Sequence, residues 1–249
     1  MERGGPSTLR PEDVTADTLG SYRFYQPRRG YRFSIDSVLL AFFASVVQGP
    51  VVDLGAGCGV LSVLLFSRGA RGPFVAVEID PLAAACCEAN FSAAGVEGLV
   101  LNQDLLEDHP RLEAEAFSMV ITNPPFGRKG HGRLPPDPAR ARARHELELS
   151  APALWRRAAE LLRPGGRLAF CWPPGRLVEA LVTLKAVGLV PKRLRSVHGR
   201  VELGARVVLV EAIKGGGEGL EIAAPLVVYS SPGVYTPEVQ AYYDSLIRA

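Results

Sequence analysis

Between Val51 and Ile213 the chain alternates short apolar runs with longer amphipathic segments. VVDLG (51–55) reads as a buried strand, and Val60–Ser67 as a helix leaving a glycine-rich loop. FVAVEID (74–80) is the next strand and Pro81–Ala94 the next helix. LVLNQD (99–104) and FSMVITN (117–123) follow as strands. Helix 151–163, strand RLAFCW (167–172), helix 176–187 and strand ARVVLVEAI (205–213) complete the series. Continuous apolar strands separated by helices of this length specify a parallel sheet with helices on both faces. The strand-like stretch Lys192–His198 reaches ARVVLVEAI without an intervening helix, so that pair is expected to be antiparallel at the sheet edge.

The flanks follow other patterns. Residues 1–20 are rich in Gly, Pro, Thr and Asp and read as an arm or edge hairpin. YRFYQPRRGYRF (22–33) alternates aromatic and basic residues and reads as a hairpin. The apolar segment Val38–Val47 follows Asp36 and Ser37, which can cap a helix. Residues 127–146 are rich in glycine, proline and arginine, and longer than a compact connection requires. The tail adds a strand-like LEIAAPLVVY and a short helix starting at Thr236–Pro237, placed to cover the sheet edge. The expected layout is a basic and aromatic arm with one helix (1–48), a central α/β core (49–214) and a covering tail (215–249). All three belong to one compact domain.

Composition narrows the class. The chain has 249 residues, 47% of them hydrophobic and 22% charged, which is ordinary for one soluble domain. The longest apolar run is broken by Ser45, short of a membrane span, and the N-terminus has no hydrophobic leader. The four cysteines, Cys58, Cys86, Cys87 and Cys171, form no C-x-x-C pair and read as reduced cytoplasmic thiols, with no metal site. Net charge is only +2, but 24 of the 28 basic residues are arginine, which suits phosphate contact.

Three motifs carry chemistry. Asp53-Leu-Gly55-Ala56-Gly57-Cys-Gly59 straddles the end of the first core strand. Glycines there let the backbone turn and approach a ligand beyond the carboxyl ends of the strands. An acid preceding the loop repels a pyrophosphate but attracts an amino group and a sulfonium. The loop therefore suits S-adenosylmethionine better than a dinucleotide. Glu78 ends the second strand, where a carboxylate can accept both ribose hydroxyl protons. Asp104 ends the third, where it can accept from the adenine amine, with Ile79 and Leu105 alongside. Asn123-Pro124-Pro125-Phe126 ends the fourth. The Pro124 carbonyl and the Asn123 carboxamide oxygen can together hold the hydrogens of an amino group, while Phe126 offers a stacking face. That set suits methylation of an exocyclic or amide nitrogen by alignment, with no metal.

With these motifs the chain resembles class I methyltransferases of the N-P-P-[FY] type. Within them it is similar to the bacterial tRNA adenine-N6 methyltransferases acting on valine tRNA just 3′ of the anticodon. The resemblance runs through RGYRFSIDSVLLA (29–41), NPPF, ARHE (143–146), LLRPGGR (161–167) and PLVVY…YTPEV (225–239). It implies the Rossmann-like class I methyltransferase fold, a seven-stranded, mostly parallel sheet with an antiparallel edge strand. It implies Asn123 to Phe126 as the catalytic element. It also places Ser34 and Asp36 at the methionine end of S-adenosylmethionine.

The implied partner is the tRNA anticodon loop, with no membrane and no obligate protein partner. Arg28 and Arg29 on one side, and Arg128, Lys129, Arg140, Arg144 and His145 on the other, are the candidate RNA contacts. Tyr22, Phe24, Tyr25, Tyr31 and Phe33 interleave with the first set as stacking surfaces. Alternatives at this point are methylation of rRNA or of a protein glutamine, and, more remotely, non-catalytic RNA binding.

Overall fold

The computed structural model describes residues 9–30, 32–124 and 150–247. The central strands are β3 (Val51–Leu54), β4 (Phe74–Glu78), β5 (Gly98–Asn102), β6 (Phe117–Thr122) and β7 (Leu162–Trp172), all parallel to one another. β8 (Leu189–His198) and β9 (Ala205–Lys214) follow, with β9 antiparallel to both β7 and β8. The order β8-β9-β7-β6-β3-β4-β5 is the seven-stranded sheet the alternation predicts, with the antiparallel pair at one end. β9 itself lies one strand in from β8. Among the described residues the sheet reaches nine strands. β10 (Glu221–Ile222) and β11 (Leu226–Val227) both pair with β8 and cover its outer side.

Strand side chains alternate between two cores. Val51, Ala76, Met119, Ile121, Ala169, Cys171 and Leu209 face one. Val52, Leu54, Val77, Val120, Leu168, Phe170 and Trp172 face the other. This is the period of two that a doubly covered sheet requires. The first core is closed by α1 (Ile35–Phe43), α2 (Val60–Ser67) and α3 (Pro81–Ala94), the second by α4 (Ala151–Leu161) and α5 (Leu177–Ala186). α3 starts where Asp80 caps the Ala83 N–H, with Pro81 at the first helical position, and stops at Gly95 with φ 72°. α1 is capped by Ser34, whose hydroxyl accepts from the Asp36 N–H. The helix therefore begins three residues before Val38, and Asp36 and Ser37 are its first turn rather than its cap.

The N-terminal hairpin also differs from the expectation. β1 (Val14–Leu19) pairs with β2 (Tyr22–Pro27) across Gly20–Ser21, so residues 22–27 form one arm and not a hairpin with 28–33. Gly20 turns at φ 58°, and a Cβ there would lie 2.5 Å from the Leu246 backbone. That close approach lets the Ser21 N–H bond the Leu246 carbonyl at 3.0 Å, just past α6 (Pro237–Asp244). Alternation turns Tyr22 and Phe24 inward, 7% and 1% exposed, so both are core residues and not stacking surfaces for RNA.

One buried side chain ties the hairpin to the loop after β3. Asn90 on α3 accepts from the Tyr25 N–H and donates to the carbonyls of Tyr25 and Cys58, each at 2.8 Å. Asn90→Ala would strand these backbone groups and is expected to cost about 2–4 kcal/mol in urea unfolding, while opening the hairpin to proteolysis. Wild-type stability in that variant would contradict the clamp.

Candidate active site at the carboxyl edge of the sheet

Parallel strands bring their carboxyl ends to one edge, and a ligand crevice forms where neighbouring connections run in opposite directions. Here that point lies at β3, between β4 on one side and β6 on the other. Asp104, Glu78, the glycine loop and Asn123 follow strands β5, β4, β3 and β6, so the sheet lays them out along this edge in that order. The cleft is lined by Phe33, Ser37, Gly55 to Cys58, Val60, Leu61 and Asn123.

The loop's glycines do different work. Gly55 and Gly57 have φ of 71° and 56°, and a Cβ built on either meets nothing within 4 Å. Their bare backbone borders open space that a ligand can fill. Gly59 has φ 78°, but a Cβ there would sit 2.5 Å from the Cys87 sulfur and 3.0 Å from the Phe91 ring. Its role is packing α2 against α3. The Gly55 and Ala56 N–H groups are held by the Val77 carbonyl at 2.9 and 3.0 Å, and the Gly57 N–H by Glu78 Oε2 at 2.7 Å.

Glu78 also accepts from the Asp80 N–H at 2.9 Å, so the carboxylate fixes the loop with one bond per oxygen. Each carboxylate oxygen has a further lone pair with which to receive a hydroxyl. Burial raises its pKa, against the backbone donors of Asp80, Gly57 and Ile79 that lower it. Ile79, beside it, is 45% exposed and presents an apolar face at the edge. Asp104 spends one oxygen on the Leu106 N–H at 2.8 Å, closing a turn. That turn is anchored by Arg157, only 5% exposed, which donates to the carbonyls of Leu105 (3.1 Å) and Glu107 (2.9 Å) and pairs with Asp108 and Glu160.

Asp53 is fully buried beneath the loop. Its Oδ2 accepts from the Ser62 hydroxyl at 2.9 Å, whereas Oδ1 has no partner among the described residues. Burial, with the Glu78 charge adding to it, pushes its pKa up to about 7. An orphaned carboxylate oxygen under open glycines fits a cationic, amino-bearing cofactor such as S-adenosylmethionine and opposes a pyrophosphate.

Asn123, 8% exposed, sits at the end of β6. Its Nδ2 donates to the Ser37 hydroxyl at 3.0 Å, and its Oδ1 accepts from the Cys171 thiol at 3.3 Å. Ser34 and Asp36 are adjacent but do not line the cleft. Ser34 caps α1, and Asp36 is ion-paired with Arg206 of β9. Arg28 spends its guanidinium on the carbonyls of Pro11, Glu12 and Val14, closing the hairpin, while Arg29 is exposed. Pro125, Phe126, Arg128, Lys129, Arg140, Arg144 and His145 lie outside the described residues, as does Tyr31.

Sequence reasoning did not single out Cys171, Asn90, Arg157 or Arg206, and it gave Ser37 only a capping role. Strand register is the signal for Cys171. Thr122 pairs with Phe170, so Asn123 and Cys171 are the next neighbours on the same face.

The strained carboxylate and the open glycines each have a measurable consequence. In the free protein the unfolded chain loses the Asp53 proton near pH 4 and the folded chain near pH 7. The group therefore costs nothing below pH 4 and its full penalty above pH 7. Between those values the cost grows by about 1.4 kcal/mol for each pH step of one. Asp53→Asn should raise the melting temperature of the free protein at pH 8, leave it little changed at pH 4, and weaken S-adenosylmethionine binding. An Asn variant less stable than wild type at pH 8 would contradict the strained carboxylate. Gly57→Ala should weaken the cofactor by about ten-fold or more with a stability loss near 1 kcal/mol, from the left-handed backbone alone. Gly59→Ala should show its larger effect in unfolding, and the reverse ranking would refute the division of roles.

Comparison with known proteins identifies the family. The model of the methyltransferase small domain family matches residues 35–181. A tRNA1(Val) (adenine(37)-N6)-methyltransferase of Porphyromonas gingivalis is 29% identical over 237 residues, covering 87% of this chain and 90% of that protein. The protein of the same name in Shewanella frigidimarina is 33% identical over 194 residues, covering 74% and 76%. Among solved structures, one described as a predicted O-methyltransferase from Agrobacterium tumefaciens superposes with a TM-score of 0.66 at 22% identity, covering 86% of this chain and 98% of that one. P. horikoshii TYW2 in complex with MeSAdo superposes at 0.56 and 16% identity, covering 82% and 72%. Both confirm the fold. The chain belongs to the methyltransferase small domain family and, within it, to the tRNA1(Val) (adenine(37)-N6)-methyltransferases.

Proposed function

We propose that this protein methylates the exocyclic N6 of adenine 37 in tRNA1(Val), just 3′ of the anticodon, with S-adenosylmethionine as donor. The observation that carries the reading is Asn123, a buried carboxamide on the same cleft as the open glycines and one strand from the orphaned carboxylate. S-adenosylmethionine, when bound, supplies an electrophilic methyl on a cationic sulfur. Asp53 offers charge to the amino-bearing end, Glu78 accepts ribose hydroxyls, and Ile79 covers the adenine ring.

On the substrate side, the Asn123 oxygen and the Pro124 carbonyl accept the two N6 hydrogens of the target adenine. Both bonds draw the hydrogens toward the acceptors and turn the nitrogen lone pair toward the methyl group. Attack by the N6 lone pair would form the N–C bond as the sulfur–methyl bond breaks, the cofactor leaving as its neutral thioether, and the positively charged nitrogen would pass its proton to solvent. Alignment in a water-poor cleft contributes most of the acceleration, and no strong base is needed. The adenine must leave its stack to arrive there, and Phe126, close by in the chain, is the proposed stacking partner. Arg29 and the arginine-rich stretch 127–146 are the proposed phosphate contacts. Arg28 has its guanidinium donors committed to its own hairpin, so it adds positive charge near the arm rather than direct phosphate hydrogen bonds.

Incubation with labelled S-adenosylmethionine and unmodified total tRNA, followed by digestion to nucleosides, should yield labelled N6-methyladenosine. Asn123→Ala should abolish turnover while holding cofactor affinity within about two-fold, because its side chain addresses the target nitrogen. Label appearing in protein rather than tRNA, or wild-type turnover in Asn123→Ala, would overturn the proposal.

A further inference from the structure

The carboxyl edge of the sheet continues past Asn123 and holds a second pocket. β8 runs in the same direction as β7, since both are antiparallel to β9, so the β8–β9 turn at 199–204 rises from the same edge as the cofactor cleft. β11 pairs parallel to β8 and delivers the tail there too. The Val228 and Tyr229 N–H groups bond the His198 and Gly199 carbonyls at 2.8 and 3.0 Å. The short hairpin of β12 (Tyr229–Ser231) and β13 (Val234–Tyr235) then stands beside the turn. Between turn and hairpin lies a pocket of about 440 Å³, bordered by Arg200, Glu202, Tyr229, Ser231 and Thr236. That volume is in the range of small-molecule sites. Among the described residues, none of these five lines the cofactor cleft.

Tyr229 is held in a fixed plane. Its ring stacks on Tyr235 at 5.3 Å and 17°, and Tyr235 stacks on Tyr243 of α6 at 5.0 Å and 7°. Three near-parallel rings anchored on a helix set the aromatic wall of the pocket in advance of any ligand. Beside the wall, Arg200 and Glu202 pair at 2.9 Å with both side chains about half exposed. An exposed pair of this kind is held weakly, so either partner can turn to a ligand. The two charges cancel, and together they offer a donor and an acceptor. A flat wall with a neutral, mixed hydrogen-bonding edge fits a nucleobase better than a phosphate. Position says whose base it is. Asn123 ends β6, and β7 and β9 separate that strand from β8. Three strand spacings put the pocket about 15 Å along the edge from Asn123. That is about four stacked nucleotide steps, a distance one RNA loop spans. Arg206, at the start of β9 between the two, is half exposed.

We propose that this pocket is a second RNA subsite, which takes an unstacked base of the anticodon loop other than adenine 37, stacked on Tyr229 and read at its edge by Arg200 and Glu202. The proposal rests on the tRNA reading above and deepens it by naming how the protein grips the loop beside its target. Two bases held at once fix the register of the loop. The nucleotide that reaches Asn123 is then selected by the place of its neighbour as well as by its own amino group.

The test compares Tyr229→Leu, Tyr229→Phe and Ser231→Leu in the full chain, with full-length tRNA1(Val). Ser231 is exposed, so its replacement narrows the pocket without disturbing the core. Tyr229→Leu and Ser231→Leu should each weaken tRNA binding, and raise KM for tRNA, by about ten-fold, while affinity for S-adenosylmethionine stays within about two-fold. Tyr229→Phe, which keeps the ring, should bind tRNA as wild type does. A second series replaces each anticodon-loop nucleotide other than 37, in turn, by an abasic one. One such tRNA should bind wild type about ten-fold more weakly than intact tRNA, yet bind Tyr229→Leu no worse, because the stacked pair is already lost. Wild-type tRNA affinity in both Tyr229→Leu and Ser231→Leu would overturn the proposal. So would abasic losses of equal size in wild type and Tyr229→Leu at every position. A wild type that binds this tRNA but leaves it unmethylated would refute the function, and the abasic series would still decide the pocket.

Discussion

A polar side chain buried at the end of a central strand has to find its hydrogen bonds inside the protein, and Asn123 imposes that demand on everything around it. Its partners come from α1 and β7, so α1 must lie across the carboxyl edge at a fixed height. Both ends of α1 are secured accordingly. Asp36 in the first turn meets Arg206 of β9. At the other end Arg68 donates to the Ala44 carbonyl at 2.7 Å and to that of Ala41, and Arg193 donates to that of Phe43. Cations at a helix C-terminus satisfy its last carbonyls and complement its dipole. The chain leaving the helix is then caught by Glu211, which accepts from the Ser45 N–H at 2.8 Å and its hydroxyl at 2.9 Å, and which is paired with Arg167.

The cofactor side obeys a different logic. There the fold leaves a carboxylate oxygen unsatisfied and two glycines facing open space, while the surroundings are braced. Glu78 fixes the loop from one side and Asn90 from the other, and Arg157 pins the Asp104 turn. A destabilised group held by satisfied neighbours is what a site for a cationic ligand requires, because the ligand's charge then relieves a cost the free protein already bears. Asn90 has a further consequence. It joins the same loop to the hairpin through Tyr25, so the arm that carries Arg29 is mechanically continuous with the glycine loop.

The alternation of strands and helices was legible in the sequence because the central strands β3, β4 and β6 are buried on both faces, and because α3 carries local start and stop signals. Val60–Ser67 and Pro81–Ala94 are found at the predicted residues. The hairpin was misread because Tyr22 and Phe24 look alike in sequence whether they face a base or α3. Only the clamp at Asn90 and the Gly20 contact with Leu246 decide which. Motif residues at strand ends were legible for the same reason the fold was, since parallel strands deliver their carboxyl ends to one place. The residues that support them were not. Arg157, Arg206 and Cys171 act across separations of 48 to 170 positions, which spacing does not encode.

The central claim is that the cleft acts on an exocyclic amine presented to Asn123. The most direct measurement replaces adenine 37 of tRNA1(Val) by purine, which keeps the ring and removes the amino group. The account predicts that this tRNA binds with near wild-type affinity and receives no methyl group, while the adenine-37 transcript is methylated at that nucleotide alone. Methylation of the purine-37 tRNA at any position would contradict it.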